Sequence, residues 1–150
     1  MALAEQIQND MKAALLGGDR FAGDVLRGLK AAILNEEVAQ GKRDTGLGDE
    51  GIEKIIAREL KKRQESIKLY EANGRPELAD NEKQEIAVIE RYLPEQMSDD
   101  ELEAIVTSVI ADMGATAQQM GQVIGAVKAK AGNTADGAKI AEIVKRKLIQ

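Results

Sequence analysis

Leu93-Pro94-Glu95-Gln96-Met97-Ser98-Asp99-Asp100-Glu101 is the stretch on which the reading of this chain turns. A proline pushes the residue before it out of the helical region, so a helix arriving from upstream stops at Leu93. Four residues after Pro94, Ser98 and Glu101 stand three apart, the spacing at which a helix N-terminus satisfies its exposed donors. One helix therefore ends and another begins within these few residues. The expected division is an N-terminal helical domain over 1–94 and a C-terminal three-helix domain over 95–150.

Downstream of that break, Leu102, Ile105, Val106, Val109, Ile110 and Met113 recur at helical spacing up to Gly114. Thr116-Ala117-Gln118-Gln119 is a second capping pattern, opening a helix that carries Met120, Val123, Ile124 and Val127 and closes at Gly132. Asp136 is placed to cap a last helix with Ile140, Ile143, Val144 and Leu148. Three short amphipathic helices can bury their stripes only against one another, as a small bundle.

Upstream, Leu3, Ile7, Met11, Ala14 and Leu15 line a first helix that stops at Gly17-Gly18. Asp19 is placed to cap a second, with Ala22, Val25, Leu26, Leu29, Ile33 and Val38 inward. The segment from Gly41 to Gly51 has four glycines and no periodicity beyond them, and reads as a loop ending at a cap on Asp49. A long third helix follows, with Ile52, Ile55, Ile56, Leu60, Ile67 and Tyr70 inward, and Asn73-Gly74 ends it. Pro76 suits the first turn of a fourth helix bearing Leu78, Ile86, Ile89 and Leu93. The fold class is all-α: an N-terminal long-helix hairpin domain followed by a small three-helix bundle.

Composition agrees with that class and narrows the chemistry. Hydrophobic residues make up 43% of the 150, but aromatic ones only 2%, so the core is aliphatic. There is no Cys and no His, which removes disulfides, thiolate catalysis, structural zinc and imidazole acid–base chemistry. No Gly-x-x-x-x-Gly-Lys-Ser/Thr loop and no Gly-x-Ser-x-Gly elbow occurs. Adjacent or near acids such as Glu36-Glu37, Asp99-Asp100 and Glu82 with Glu85 read as helix-surface or first-turn carboxylates. The expectation is no catalytic residue, no metal and no cofactor. The start of the chain lacks a signal-peptide pattern and no apolar run approaches the roughly 20 residues of a membrane span. Those absences lead to an expected cytoplasmic location without membrane contact.

Charge is uneven. The total is −5, yet residues 114–150 hold Lys128, Lys130, Lys139, Lys145, Arg146 and Lys147 against only Asp136 and Glu142, a local +4. Residues 95–112 hold six acids and no Lys or Arg. Gly121 and Gly125 lie four apart on one helix face, where each glycine costs about 0.8–1 kcal/mol relative to alanine. Close packing by another helix is the favoured account of them. The alternative is an RNA backbone against a smooth face flanked by Lys128 and Lys130. The cations at 145–147 have two readings as well: complementing a helix dipole, or meeting phosphate.

Several segments carry a resemblance. Lys62-Arg63-Gln64-Glu65-Ser66-Ile67, Gly74-Arg75, Tyr92-Leu93-Pro94 with Gln96-Met97-Ser98, and Glu101-Leu102 resemble the GatB/YqeY family. So do Met120-Gly121, Val123-Ile124, Ala135-Asp136-Gly137 and Ile143-Val144. The family is similar to the helical tail of the B subunit of the aspartyl/glutamyl-tRNA amidotransferase. That tail contacts tRNA, while the carbon–nitrogen ligation with glutamine as amido-nitrogen donor resides in other domains and another subunit. The resemblance implies a two-part helical fold and tRNA as a partner, without the ligase chemistry. Where the family commonly has a basic residue before Ala-Asp-Gly, this chain has Thr134, and Leu34 and Glu36 stand where Lys is common.

The expected function is an accessory tRNA-binding protein. The expected contacts are Lys128, Lys130, Lys139, Lys145, Arg146 and Lys147, helped by Gly121, Gly125 and the turn residues Asn133, Thr134, Asp136 and Gly137. The alternatives are a helical adaptor that docks on a protein partner, and a subunit or activator of amide transfer.

Overall fold

The structure, a computed structural model, describes residues 1–149. Among them are seven α-helices and no strand: α1 (Leu3–Leu16), α2 (Arg20–Ala39), α3 (Asp49–Ala72), α4 (Pro76–Ile89), α5 (Asp99–Met113), α6 (Met120–Ala131) and α7 (Gly137–Ile149). Single 3-10 turns occupy Glu90–Tyr92, Ala117–Gln119 and Gly132–Thr134. The chain forms two compact units, Met1–Leu93 and Pro94–Gln150. None of these helices is long and apolar enough to cross a membrane.

In the first unit, α1 with α2 and α3 with α4 make two helical hairpins around one aliphatic core. Ile7, Leu26, Leu29, Ile52, Ile56 and Ile89 are its fully buried members. Asp19 caps α2 as the sequence predicts, accepting the Ala22 N–H at 3.1 Å. Asp49 departs from expectation. Gly48 is the N-cap of α3, and the Asp49 carboxylate accepts the Leu3 N–H at 2.9 Å, so it caps α1 instead. A carboxylate in the first turn of α3 keeps its favourable place on that helix dipole while serving the other helix.

The burial pattern departs at further places, among them Leu15 at the end of α1, which is exposed. Val38 is 57% exposed because the core ends at Ile33, a turn and a half earlier. Ile67 and Tyr70 are only half-buried, since α3 is longer than the core it lines, which stops at Leu60. Ala79, not Leu78, turns inward in α4, and Met113 lies at the open end of α5. Arg63 stitches the second hairpin, reaching Glu59 within α3 at 3.4 Å and Glu85 of α4 at 3.2 Å.

Tyr92 closes the first unit. Its ring is 5% exposed in the core, and its hydroxyl donates to Asp10 of α1 at 2.6 Å while accepting from Arg91 at 2.7 Å. Arg91 also lies over the ring, 4.9 Å from its centre. Burial first, and then the bond to Asp10, push the Tyr92 hydroxyl up to about 12. A sequence motif ending in Tyr-Leu-Pro thus pins the last turn of the unit to its first helix.

The second unit is a three-helix bundle around Leu102, Val106, Val109, Val123, Val127, Ile140, Ile143 and Val144. The Ser98 hydroxyl accepts the Glu101 N–H at 3.1 Å, which starts α5 where the spacing predicts. Gly114 ends α5 with φ +56°, a left-handed conformation that side chains rarely adopt. The segment before α5 is clamped to the turn between α6 and α7. The Met97 N–H donates to the Thr134 carbonyl at 2.7 Å, and the Gln96 amide donates to the Asn133 carbonyl at 3.0 Å.

Tyr92 gives a pH signature. In the unfolded chain a tyrosine ionises near 10, whereas in the fold it keeps its proton to about 12. Between those values the folded state binds the extra proton, so stability falls as pH rises, by roughly 2–3 kcal/mol in all. In a Tyr70→Phe background, tyrosinate absorbance should show its midpoint near 12. Tyr92→Phe should cost about 1–2 kcal/mol in urea unfolding at neutral pH and abolish this part of the alkaline loss.

Candidate nucleic-acid interface

Whether the cations of the second unit share a surface depends on how α6 and α7 are turned. The two helices are antiparallel, joined by the short Gly132–Thr134 turn. On α6, Val123, Val127 and Ala131 face the core, which leaves Gly121, Gly125 and Lys128 (at i, i+4 and i+7) along the opposite, exposed flank. A Cβ added at Gly121 or at Gly125 would meet nothing within 4 Å. The favoured sequence account, close packing by another helix, is therefore not what these glycines do within the unit. They are open.

The end of the Lys128 side chain lies over the start of α7: a Cβ at Gly137 would come within 3.2 Å of the lysine Cε. Lys145, eight residues and about 12 Å further along α7, is exposed. Lys128, Gly125 and Gly121 on α6 and Lys145 on α7 are thus all open to solvent.

The other expected contacts divide differently. Lys139 and Arg146, seven apart on α7, both turn to α5 and form ion pairs there, Lys139 with Asp99 and Arg146 with Glu103. The hydrogen bond to Asp99 holds the Lys139 ammonium above its usual range. Lys145, Arg146 and Lys147 are neighbours in sequence, but successive helical residues are about 100° apart, so they fan around α7 and do not make one cluster. Lys147 is half-buried and Lys130 is exposed in the last turn of α6. In the turn, the Thr134 hydroxyl donates to the Ala131 carbonyl and the Asp136 carboxylate accepts the Ala138 N–H at 3.3 Å. Both therefore have structural work. Through their carbonyls, Asn133 and Thr134 also hold the Gln96–Met97 segment.

Asp99 and Glu103 were counted among the acids of residues 95–112, but sequence did not match them to particular cations. A signal existed: acids four apart on α5 match cations seven apart on α7, each set falling on one helix face.

A second concavity, about 540 Å³, lies between the end of α2 and the start of α3, beside Lys42, Lys54 and Arg58. Two of those cations are already matched, Arg58 to Glu36 at 3.2 Å and Lys54 to Glu50 at 3.8 Å. A hydrogen bond from Gln40, and then Arg58, hold the Glu36 carboxyl below its usual range. Of the acids considered as a catalytic pair, Glu85 is engaged by Arg63. Glu82 beside it is held above the usual carboxylate range by burial first and then by the charge of Glu85.

The described residues form an all-helical protein of two units, the second with exposed lysines on its last two helices. The chain belongs to the Yqey-like protein family, whose sequence profile matches residues 4–148. Similar proteins carry the name Altered inheritance of mitochondria protein 41, mitochondrial. That of Lachancea thermotolerans is 28% identical over 110 residues, covering 71% of this chain and 57% of its own length. That of Candida glabrata is 32% identical over 90 residues, covering 59% and 48%. The chain thus spans about half the length of the curated relatives it matches. These relatives are named as mitochondrial proteins, which overturns the expected cytoplasmic placement and points to mitochondria. That expectation rested on lacking a signal-peptide pattern, which bears on secretion alone.

Because the flank at Gly121 and Gly125 is open, alanine there should stabilise the helix and crowd nothing. Gly121→Ala and Gly125→Ala should each raise stability by about 0.5–1 kcal/mol in urea unfolding. A loss of stability would mean that the two glycines are packed after all.

Proposed function

We propose that this chain is an accessory RNA-binding protein that holds a sugar–phosphate backbone along a furrow between α6 and α7, with tRNA as the partner. One observation carries the reading: two helical glycines with nothing against them lie between two lysines, Lys128 and Lys145, that pair with no acid among the described residues. A helix interior gives up stability at each glycine, and an open face gains in return only if something approaches it closely. A phosphate backbone suits the charge and the smoothness, and it positions a protein without reading bases. With 2% aromatic residues and Tyr92 in the core, stacking on bases has no platform here. Support for tRNA in particular is the resemblance to the amidotransferase tail. The mitochondrial naming of the relatives makes a mitochondrion the compartment in which to look first.

Filter binding of bulk tRNA across a salt series tests the proposal. Binding should be micromolar or tighter at low salt and weaken linearly in log–log form as salt rises. Lys128→Ala and Lys145→Ala should each weaken it roughly three- to tenfold and flatten the salt slope by about 0.7–0.9. Absent or salt-independent binding overturns it.

A second reading has its own observation. Leu34 and Val38, one turn apart on α2, are 44% and 57% exposed, an apolar strip on the first unit. A protein adaptor would use such a strip. Partners that survive nuclease during pull-down, and are lost on Leu34→Ser with Val38→Ser, would favour it.

A further inference from the structure

The reading above leaves Lys139, Arg146 and Lys147 of α7 unused, and α5 accounts for the first two. Every charged side chain of α5 is acidic: Asp99, Asp100, Glu101, Glu103 and Asp112. Two of these, on one face, hold Lys139 and Arg146 of α7. Without those pairs, Lys139, Arg146 and Lys145 would ring α7 with positive charge from its α5 flank to the furrow. With them, unpaired charge on α7 is narrowed towards the α6 side.

We propose that α5 is a built-in competitor for anions: Asp99 and Glu103 occupy Lys139 and Arg146 as phosphates would, and so limit how much polyanion the second unit can hold. The inference rests on the proposed RNA-binding reading and names the regulation of that same surface. Its physical basis is exchange. The pairs are exposed, with side-chain exposures between 38% and 69%, so water and salt weaken them and a phosphate can replace the carboxylate. Exposed pairs of this kind shift an equilibrium by about 1.4- to 5-fold each. Their joint restraint on binding is therefore about two- to thirtyfold, enough to tune an affinity and too little to abolish it. The same restraint biases the surface against broad, non-specific attachment to nucleic acid, which grows with each cation made available.

The test compares two double variants of the full chain with equal net charge. Asp99→Asn with Glu103→Gln releases the two cations. Glu95→Gln with Asp112→Asn removes the same charge from exposed acids that pair with no cation among the described residues. Affinity for bulk tRNA and for heparin is measured across salt, with thermal unfolding confirming that both variants are folded. The first variant should bind about two- to thirtyfold more tightly than wild type, with a salt slope steeper by up to about 1.4–1.8. The matched variant should gain distinctly less. Equal gains in both, or none in either, overturn the masking proposal while leaving tRNA binding by wild type as it stands. A gain for heparin confined to the first variant, with no tRNA binding by any form, upholds masking and removes the RNA reading.

Discussion

Burial of Ile140, Ile143 and Val144 fixes how α7 is turned about its axis, and the surface of the second unit follows from that one rotation. Once these three face inward, helical geometry sends Lys139 and Arg146 to the side of α5 and Lys145 to the side of α6. No rearrangement of side chains can undo this, because turning the helix would expose aliphatic surface worth about 1.5–3 kcal/mol for each large residue. The division between engaged and available cations is a by-product of core packing. The core itself is shaped by composition: with almost no aromatics, it is filled by branched aliphatic side chains that let helices approach evenly.

Helix boundaries were legible in the sequence because they depend on neighbours. Asp19, Ser98 and Gly114 act within a few residues of themselves, and each does in the structure what its position predicts. Residues with distant partners were misread or left unread. Asp49, expected to cap α3, serves α1, 46 residues earlier, and the bond from Tyr92 to Asp10 across 82 residues was not foreseen. No local pattern encodes such a meeting. Inward faces were predicted well where helices overlap and poorly beyond, so Val38 and Ile67 failed for a reason of length: periodicity tells which side of a helix is apolar, not where its neighbour ends.

The geometry of the candidate surface was only partly legible. Counting charge in residues 114–150 showed where cations gather in the sequence, yet a count has no direction, and the run at 145–147 takes three separate orientations around α7. Glycine spacing placed Gly121 and Gly125 on one face and asked what approaches them, and the structure answers that nothing in the unit does. Thr134 and Asp136 stand out in sequence, and both make hydrogen bonds within the turn.

The bond from Leu3 to Asp49 bears on how the first unit assembles. The first turn of α1 has no cap of its own: Ala2 offers no side-chain acceptor, so the acceptor arrives only when the loop after α2 has closed and α3 has begun. The capping of α1 thus depends on a closure spanning two helices, so protection of the Leu3 amide against hydrogen exchange is expected to report on that closure as well as on α1 itself.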